Sequence, residues 1–163
     1  MKEKFQNIGY ALLGIGIFVG IILLAAFFIK GGLWLSELLY PWLSLISAIA
    51  FFVCLFILLP LAIFRKTRAF SGLGLFIASY VFGATLWVWG FLLAYELWGA
   101  LALFIGLFLA GIGVVPIAML ATLFNGEWSI LGQLVLLLIF TFGSRILGYH
   151  LVEKAEQASY EVV

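Results

Sequence analysis

Charge is what this chain has least of. Eight lysines and arginines and seven aspartates and glutamates are spread over 163 residues, 9% of the whole, where a soluble domain carries about 25%. So few charged groups cannot cover a soluble surface. With 67% of the residues hydrophobic, the solvent for most of the chain is lipid. The formal net charge is +1 and there is no long basic arm, which argues against nucleic acid as a partner. Cysteine is nearly absent. The single Cys54 excludes an internal disulfide, and its apolar setting reads as a small core residue rather than a reactive thiol. Histidine is represented by His150 alone. One histidine and one cysteine far apart do not make a metal site.

Other chemistry is missing too. No glycine-rich phosphate loop of either common spacing occurs, and no nucleophile stands beside an evident base. Ionisable residues inside a membrane are costly and usually functional, but none lies near the middle of an apolar run. Glu96 and Glu127 sit at run ends, and Arg145 lies near the end of the last run, where its long stem can snorkel. The expectation is a protein that is not an enzyme, with no catalytic residue, cofactor or metal.

What is present is long apolar runs. About 20 such residues cross a bilayer, and five stretches qualify: Gly9–Ile29, Trp42–Phe64, Gly72–Tyr95, Gly99–Phe124 and Trp128–Gly148. The first is too long and too poor in small residues at its end for a cleaved signal peptide. The connections are short, so neighbouring spans are expected to be antiparallel. The fold expected is therefore an all-α integral membrane protein. It is a bundle of five transmembrane helices with short loops, in one domain over residues 1–148, with a short polar tail at 149–163. Between Lys30 and Trp42, Trp34, Tyr40 and Trp42 alternate with Ser36 and Glu37, a mixture that suits a segment lying along the interface. Trp98 and Trp128 fit the same belt.

Lysine and arginine set the orientation. Arg65, Lys66 and Arg68 form the densest basic cluster, and Lys2 and Lys4 share its side if two spans intervene. The positive-inside rule then puts the N-terminus in the cytoplasm and the chain in a plasma membrane of the bacterial inner type. Five crossings leave the C-terminus outside. A re-entrant fourth segment would return it to the cytoplasm and gather Arg145 and Lys154 on the basic side. Against that stands the length of Gly99–Phe124, about 39 Å as helix, and the lack of polar cover for a turn in lipid.

Helices in lipid are held by close packing and hydrogen bonds, so small residues mark contact faces. Gly16 and Gly20 stand in GxxxG spacing, and Ala102, Gly106 and Ala110 repeat every fourth residue. Ser79 with Gly83, and Gly90 with Ala94, do the same in the third run. In the stretch GLFLAGIGVVPIAMLA, Pro116 removes a backbone donor and crowds the carbonyl of Ile112, while Gly111 and Gly113 give room to bend. The expectation is a fourth helix kinked at Pro116, with a re-entrant turn as the alternative. Trp87 and Trp89 lie deep in the third run, where an indole N–H needs a partner. They read as aromatic packing or as a slot for an apolar ligand or lipid tail. Arg65, Lys66 and Arg68 serve as a topology signal and as a possible contact for anionic headgroups. The expected partners are membrane lipids, and either a second copy or a larger membrane protein. The function expected is that of a non-catalytic membrane subunit or accessory protein. The alternative is a small transporter, channel or lipid-handling protein for a neutral or apolar solute.

Overall fold

Nothing between Lys2 and Val53 stops a helix outright, and the computed structural model has one there. It describes residues 2–109 and 111–160, with side-chain surroundings for 13–109 and 111–157. Helix α1 runs Lys2–Val53 without a break, with Pro41 inside it. The expected interfacial linker at Lys30–Trp42 is thus a correction: it is helical and joins the first two apolar runs end to end. Its 52 residues make a rod of about 78 Å, more than twice the ~30 Å hydrocarbon core. A glycine pair does not end the helix because Gly32 is used for packing. A Cβ there would lie 2.8 Å from the Phe91 ring.

After Val53 the turns widen into a π-helical stretch, Cys54–Leu58, closed by the Leu59 N–H on the Cys54 carbonyl. Pro60 follows in the first turn of α2, Leu59–Ile63. Proline lacks an N–H and crowds the carbonyl four residues back, so the ladder loosens just ahead of it. The open carbonyls at the end of α2 are then capped from across the turn. Thr67 Oγ1 donates to the Leu61 carbonyl at 2.7 Å, Arg68 Nε to that of Ala62 at 3.4 Å, and Ser71 Oγ to that of Leu58. These bonds fix a tight α1/α3 corner.

Helix α3, Arg68–Phe108, is the centre of the fold. It runs antiparallel to α1: Ser71 and Gly74 lie at Leu58, Thr85 at Ser47, Trp89 at Tyr40 and Phe91 at Gly32. Helix α5, Trp128–Tyr160, runs antiparallel on its other flank, with Phe82 against Phe140, Gly83 against Thr141 and Gly72 against Gly148. One core lies between α1, α3 and α5 around Leu58, Leu75, Ala78 and Phe82. A second gathers Phe91, Ala94, Leu103, Val114, Ala118 and Leu134. Among the described residues three helices, through Leu13–Ile63, Arg68–Phe108 and Trp128–Gln157, are long and apolar enough to cross a membrane. This defines an all-helical, membrane-like class.

The third and fourth runs depart most from expectation. One non-helical residue interrupts α3, Gly99, with φ 78° and ψ −169°, a conformation open essentially only to glycine. Beyond it, residues 100–108 are helical. Leu109 and residues 111–113 are turns, and the chain enters α4, Val114–Phe124. The kink expected at Pro116 is corrected. The break precedes it, and Pro116 sits in the first turn of α4, where a missing N–H removes no helix bond. The five-span threading is corrected with it. The fourth run is two short helical arms, and the first two runs are one helix.

Candidate functional site: the helical hairpin and its contacts

The direction of the two arms follows from their contacts. Gly111 lies at Trp87, Val115 and Ala118 at Gly90, and Phe124 at Trp98, ring centroids 6.0 Å apart. Helix α4 therefore runs parallel to the second half of α3. The first arm starts beside Trp98 and ends where Gly106 meets Val114, whose Cα lies 3.1 Å from a Cβ built at Gly106. Residues 99–125 thus descend along α3 from Trp98 to Trp87 and climb back. Both ends of this hairpin lie at the same end of the bundle. At its top, Glu127 N–H bonds the Thr122 carbonyl at 2.9 Å and Gly126 N–H that of Leu123 at 3.2 Å, a Schellman ending that delivers the chain into α5.

The tip is held by one side chain. Trp87 Nε1 donates to the Gly111 carbonyl at 2.9 Å, and its ring tilts against Phe91 at 5.3 Å. The sequence singled out Trp87 and the Gly111–Pro116 stretch separately; the structure joins them. Gly111, at φ 72°, makes the left-handed turn that exposes this carbonyl. Trp87 and Trp89 border different clefts. Trp87 borders a cleft of about 310 Å³ with Phe27, Gly31, Leu35 and Phe91. Trp89 stacks on Tyr40 at 6.1 Å and borders another, of about 280 Å³, with Ser44, Ser47, Thr85 and Gln133.

That second cleft was not legible as a site. Ser47 and Thr85, both buried, share a hydrogen bond of 2.6 Å, and Thr85 Oγ1 also donates toward the Val81 carbonyl at 2.9 Å. These hydroxyls tie α1 to α3 and satisfy one another. Single serines and threonines in separate apolar runs carry no pairing signal. Among the described residues, no three of His, Cys, Asp or Glu gather where they could hold a metal ion.

The expected packing faces divide. Gly106 and Ala102 are buried in the hairpin, and Ala110 lies outside the described residues. A Cβ at Gly83 would lie 3.3 Å from the Thr141 side chain, and one at Gly90 3.6 Å from that of Ala118. Among the described residues nothing lies within 4 Å of a Cβ at Gly16 or Gly20. The tightest contact is one the sequence reading missed. A Cβ at Gly148 would lie 2.7 Å from the Gly72 carbonyl and 2.8 Å from the Phe76 nitrogen. Five crossings would make the third and fifth runs parallel and set Gly72 and Gly148 at opposite ends; only the hairpin turns α5 antiparallel to α3 and brings the two glycines together. Of the basic cluster, Arg65 and Lys66 are exposed, while Arg68 is half-buried and bonded to Ala62. Cys54 is buried and lines an apolar groove of about 240 Å³ between the π-helical stretch and α5.

Compared with known families, curated proteins and solved structures, the chain matches none. Its class therefore rests on its own geometry: an all-helical protein with three helices apolar and long enough to span a membrane.

Proposed function

We propose that the chain is a non-catalytic membrane subunit that docks through the N-terminal half of α1 onto a second copy or a larger membrane protein. The observation that carries this is the state of residues 13–24. All are exposed, with Leu24 at 72%, and nothing among the described residues packs on Gly14, Gly16 or Gly20. Helices in lipid associate through such small-residue grooves, and among the described residues nothing fills this one. The test is a single-cysteine series, Gly16→Cys and Gly20→Cys in a Cys54→Ala background, oxidised in native membranes. A crosslinked dimer or a discrete heterologous adduct supports docking. Uncrosslinked chain throughout, with a monomer mass in detergent, overturns it.

We further propose that residues 99–125 form a re-entrant hairpin, entering and leaving the membrane on one side. The arms are 9 and 11 residues long by their bounds and rise about 14 and 16 Å, half the ~30 Å core. Irregular backbone at such depth needs cover, and the Trp87 indole supplies it at Gly111. The C-terminus then shares a side with Arg65, Lys66 and Arg68. Arg65, Lys66, Arg68, Arg145 and Lys154 then lie on one side, which the positive-inside rule makes the cytoplasmic side of an inner membrane. The hairpin also favours the second reading, a small transporter, channel or lipid-handling protein. Its first arm and α1 enclose an apolar cleft of about 390 Å³ lined by Ile22, Ala26, Tyr95, Leu101 and Phe104, suited to an acyl chain. Purification separates the two readings: a stoichiometric partner supports the subunit, a solitary particle with bound lipid the alternative.

A further inference from the structure

Arg145 lies on the face of α5 turned toward α3, several turns before the end of that helix. Its guanidinium carbon lies 4.8 Å from the centre of the Tyr80 ring and 5.9 Å from that of Phe76. The two rings meet edge to face at 5.4 Å. Arg145 and Tyr80 are both exposed on the outer groove between α3 and α5. Among the described residues no carboxylate pairs with Arg145; Glu153, the acid nearest in sequence, lies 3.7 Å from His150 Nδ1. Side chains on a helix lean toward its N-terminus. Accordingly the guanidinium sits nearer Tyr80 than Phe76, away from the basic end of the bundle rather than snorkelling toward it.

Depth decides what can neutralise it. Arg145 is about 25 Å along α5 from Trp128, and the hydrocarbon is ~30 Å thick. If Trp98 and Trp128 mark one boundary, the Arg145 backbone lies a few ångströms inside the other and its guanidinium deeper still, so that a lipid phosphate is drawn inward by local thinning of the bilayer to neutralise it. A guanidinium stacked on rings keeps its in-plane N–H groups free, and these match two phosphate oxygens. We propose that Arg145, with Tyr80 and Phe76 as its platform, binds the phosphate of an anionic glycerophospholipid in the leaflet facing Arg65–Arg68. The proposal rests on the reading of α3 and α5 as membrane-spanning.

The test uses the purified full chain in detergent, with its melting temperature followed as phosphatidylglycerol or phosphatidylcholine is added. The wild type is expected to be stabilised at lower phosphatidylglycerol than phosphatidylcholine. Arg145→Gln is expected to raise the half-saturating phosphatidylglycerol concentration about fivefold, and Arg145→Lys to raise it less. The Arg65→Gln/Lys66→Gln pair is expected to leave it unchanged. Should Arg145→Gln fail to fold, Tyr80→Leu keeps the charge and removes the platform, and an intermediate loss is expected. An unchanged response in Arg145→Gln, or in Tyr80→Leu where that variant stands in, overturns the proposal. So does loss of the whole preference in the Arg65/Lys66 pair. Saturation by inorganic phosphate alone would assign a soluble anion instead. A change of oligomer mass in Arg145→Gln with the lipid response intact would assign a second copy's carboxylate. A chain that does not float with vesicles at all would defeat the membrane reading, whereas floating without lipid preference defeats only this one.

Discussion

Replacing Gly148 by alanine adds one carbon at the closest approach of two helices. That carbon would stand 2.7 Å from the Gly72 carbonyl oxygen, 2.8 Å from the Phe76 nitrogen and 3.2 Å from the Phe76 Cα. All three are backbone atoms, so no rotamer change relieves them. Ordinary contact begins at 3.4 Å, and α3 and α5 must part by about 0.7 Å to restore it, a gap that forfeits a quarter to a half of each dispersion contact along the seam. The seam includes Leu75, Phe82, Phe140 and Leu151, so the loss is shared by large side chains. Overpacking of this kind costs about 1–3 kcal/mol, against roughly 1 kcal/mol that alanine returns through helix propensity. The net expectation is a destabilisation of about 0–2 kcal/mol, or a fall of up to a few degrees in the melting temperature, and about 1–3 kcal/mol relative to an exposed glycine given the same helix-propensity gain. Gly16→Ala is the internal control, because nothing among the described residues lies within 4 Å of its Cβ. Thermal melts of both variants in one detergent decide the matter. If Gly148→Ala melts with or above Gly16→Ala, the α3/α5 crossing is not where the structure has it.

Gly99→Ala should lower stability by about 1–3 kcal/mol through backbone strain alone, since open space surrounds its Cβ; an unchanged melt would mean the first arm does not turn there. Trp87→Phe keeps the ring but leaves the Gly111 carbonyl without its donor, a loss of about 1–3 kcal/mol if water cannot replace it. Hydrogen exchange should accelerate across residues 109–115 and not along α5. Equal protection in both proteins would remove Trp87 from its role as the pin of the tip.

The helical, membrane-like character of the chain was legible from its apolar runs, because 20-residue segments without charge have few other uses. The threading was not, for two physical reasons. Periodicity cannot separate one long apolar helix from two spans joined by a helical connection. Thus Lys30–Trp42, with its tryptophans, read as an interfacial segment although it continues α1. Nor does length distinguish a crossing from two half-length arms. Gly99–Phe124 is long enough to span, and the glycines at 99 and 111 reveal their function only when their φ angles are known. Pro116 pointed to the right place for the wrong reason: it begins a helix there rather than bending one. The tip's protection was hidden because Trp87 is 24 residues from Gly111. The buried bond between Ser47 and Thr85 spans 38. Small-residue spacing found Gly106 but not Gly148, whose partner Gly72 lies on another helix.

The hairpin's return to its own side is the central claim, and paired reporter fusions test it most directly. Alkaline phosphatase and a fluorescent protein are each fused in a bacterial host after Lys66, truncating the chain there, and after Val163. If residues 99–125 enter and leave on one side, α3 and α5 together carry the chain out and back, and both fusion points must lie in the same compartment. The expected result is fluorescence without phosphatase activity at both. A phosphatase-active fusion after Val163 beside a fluorescent one after Lys66 would mean that Gly99–Phe124 crosses the membrane after all.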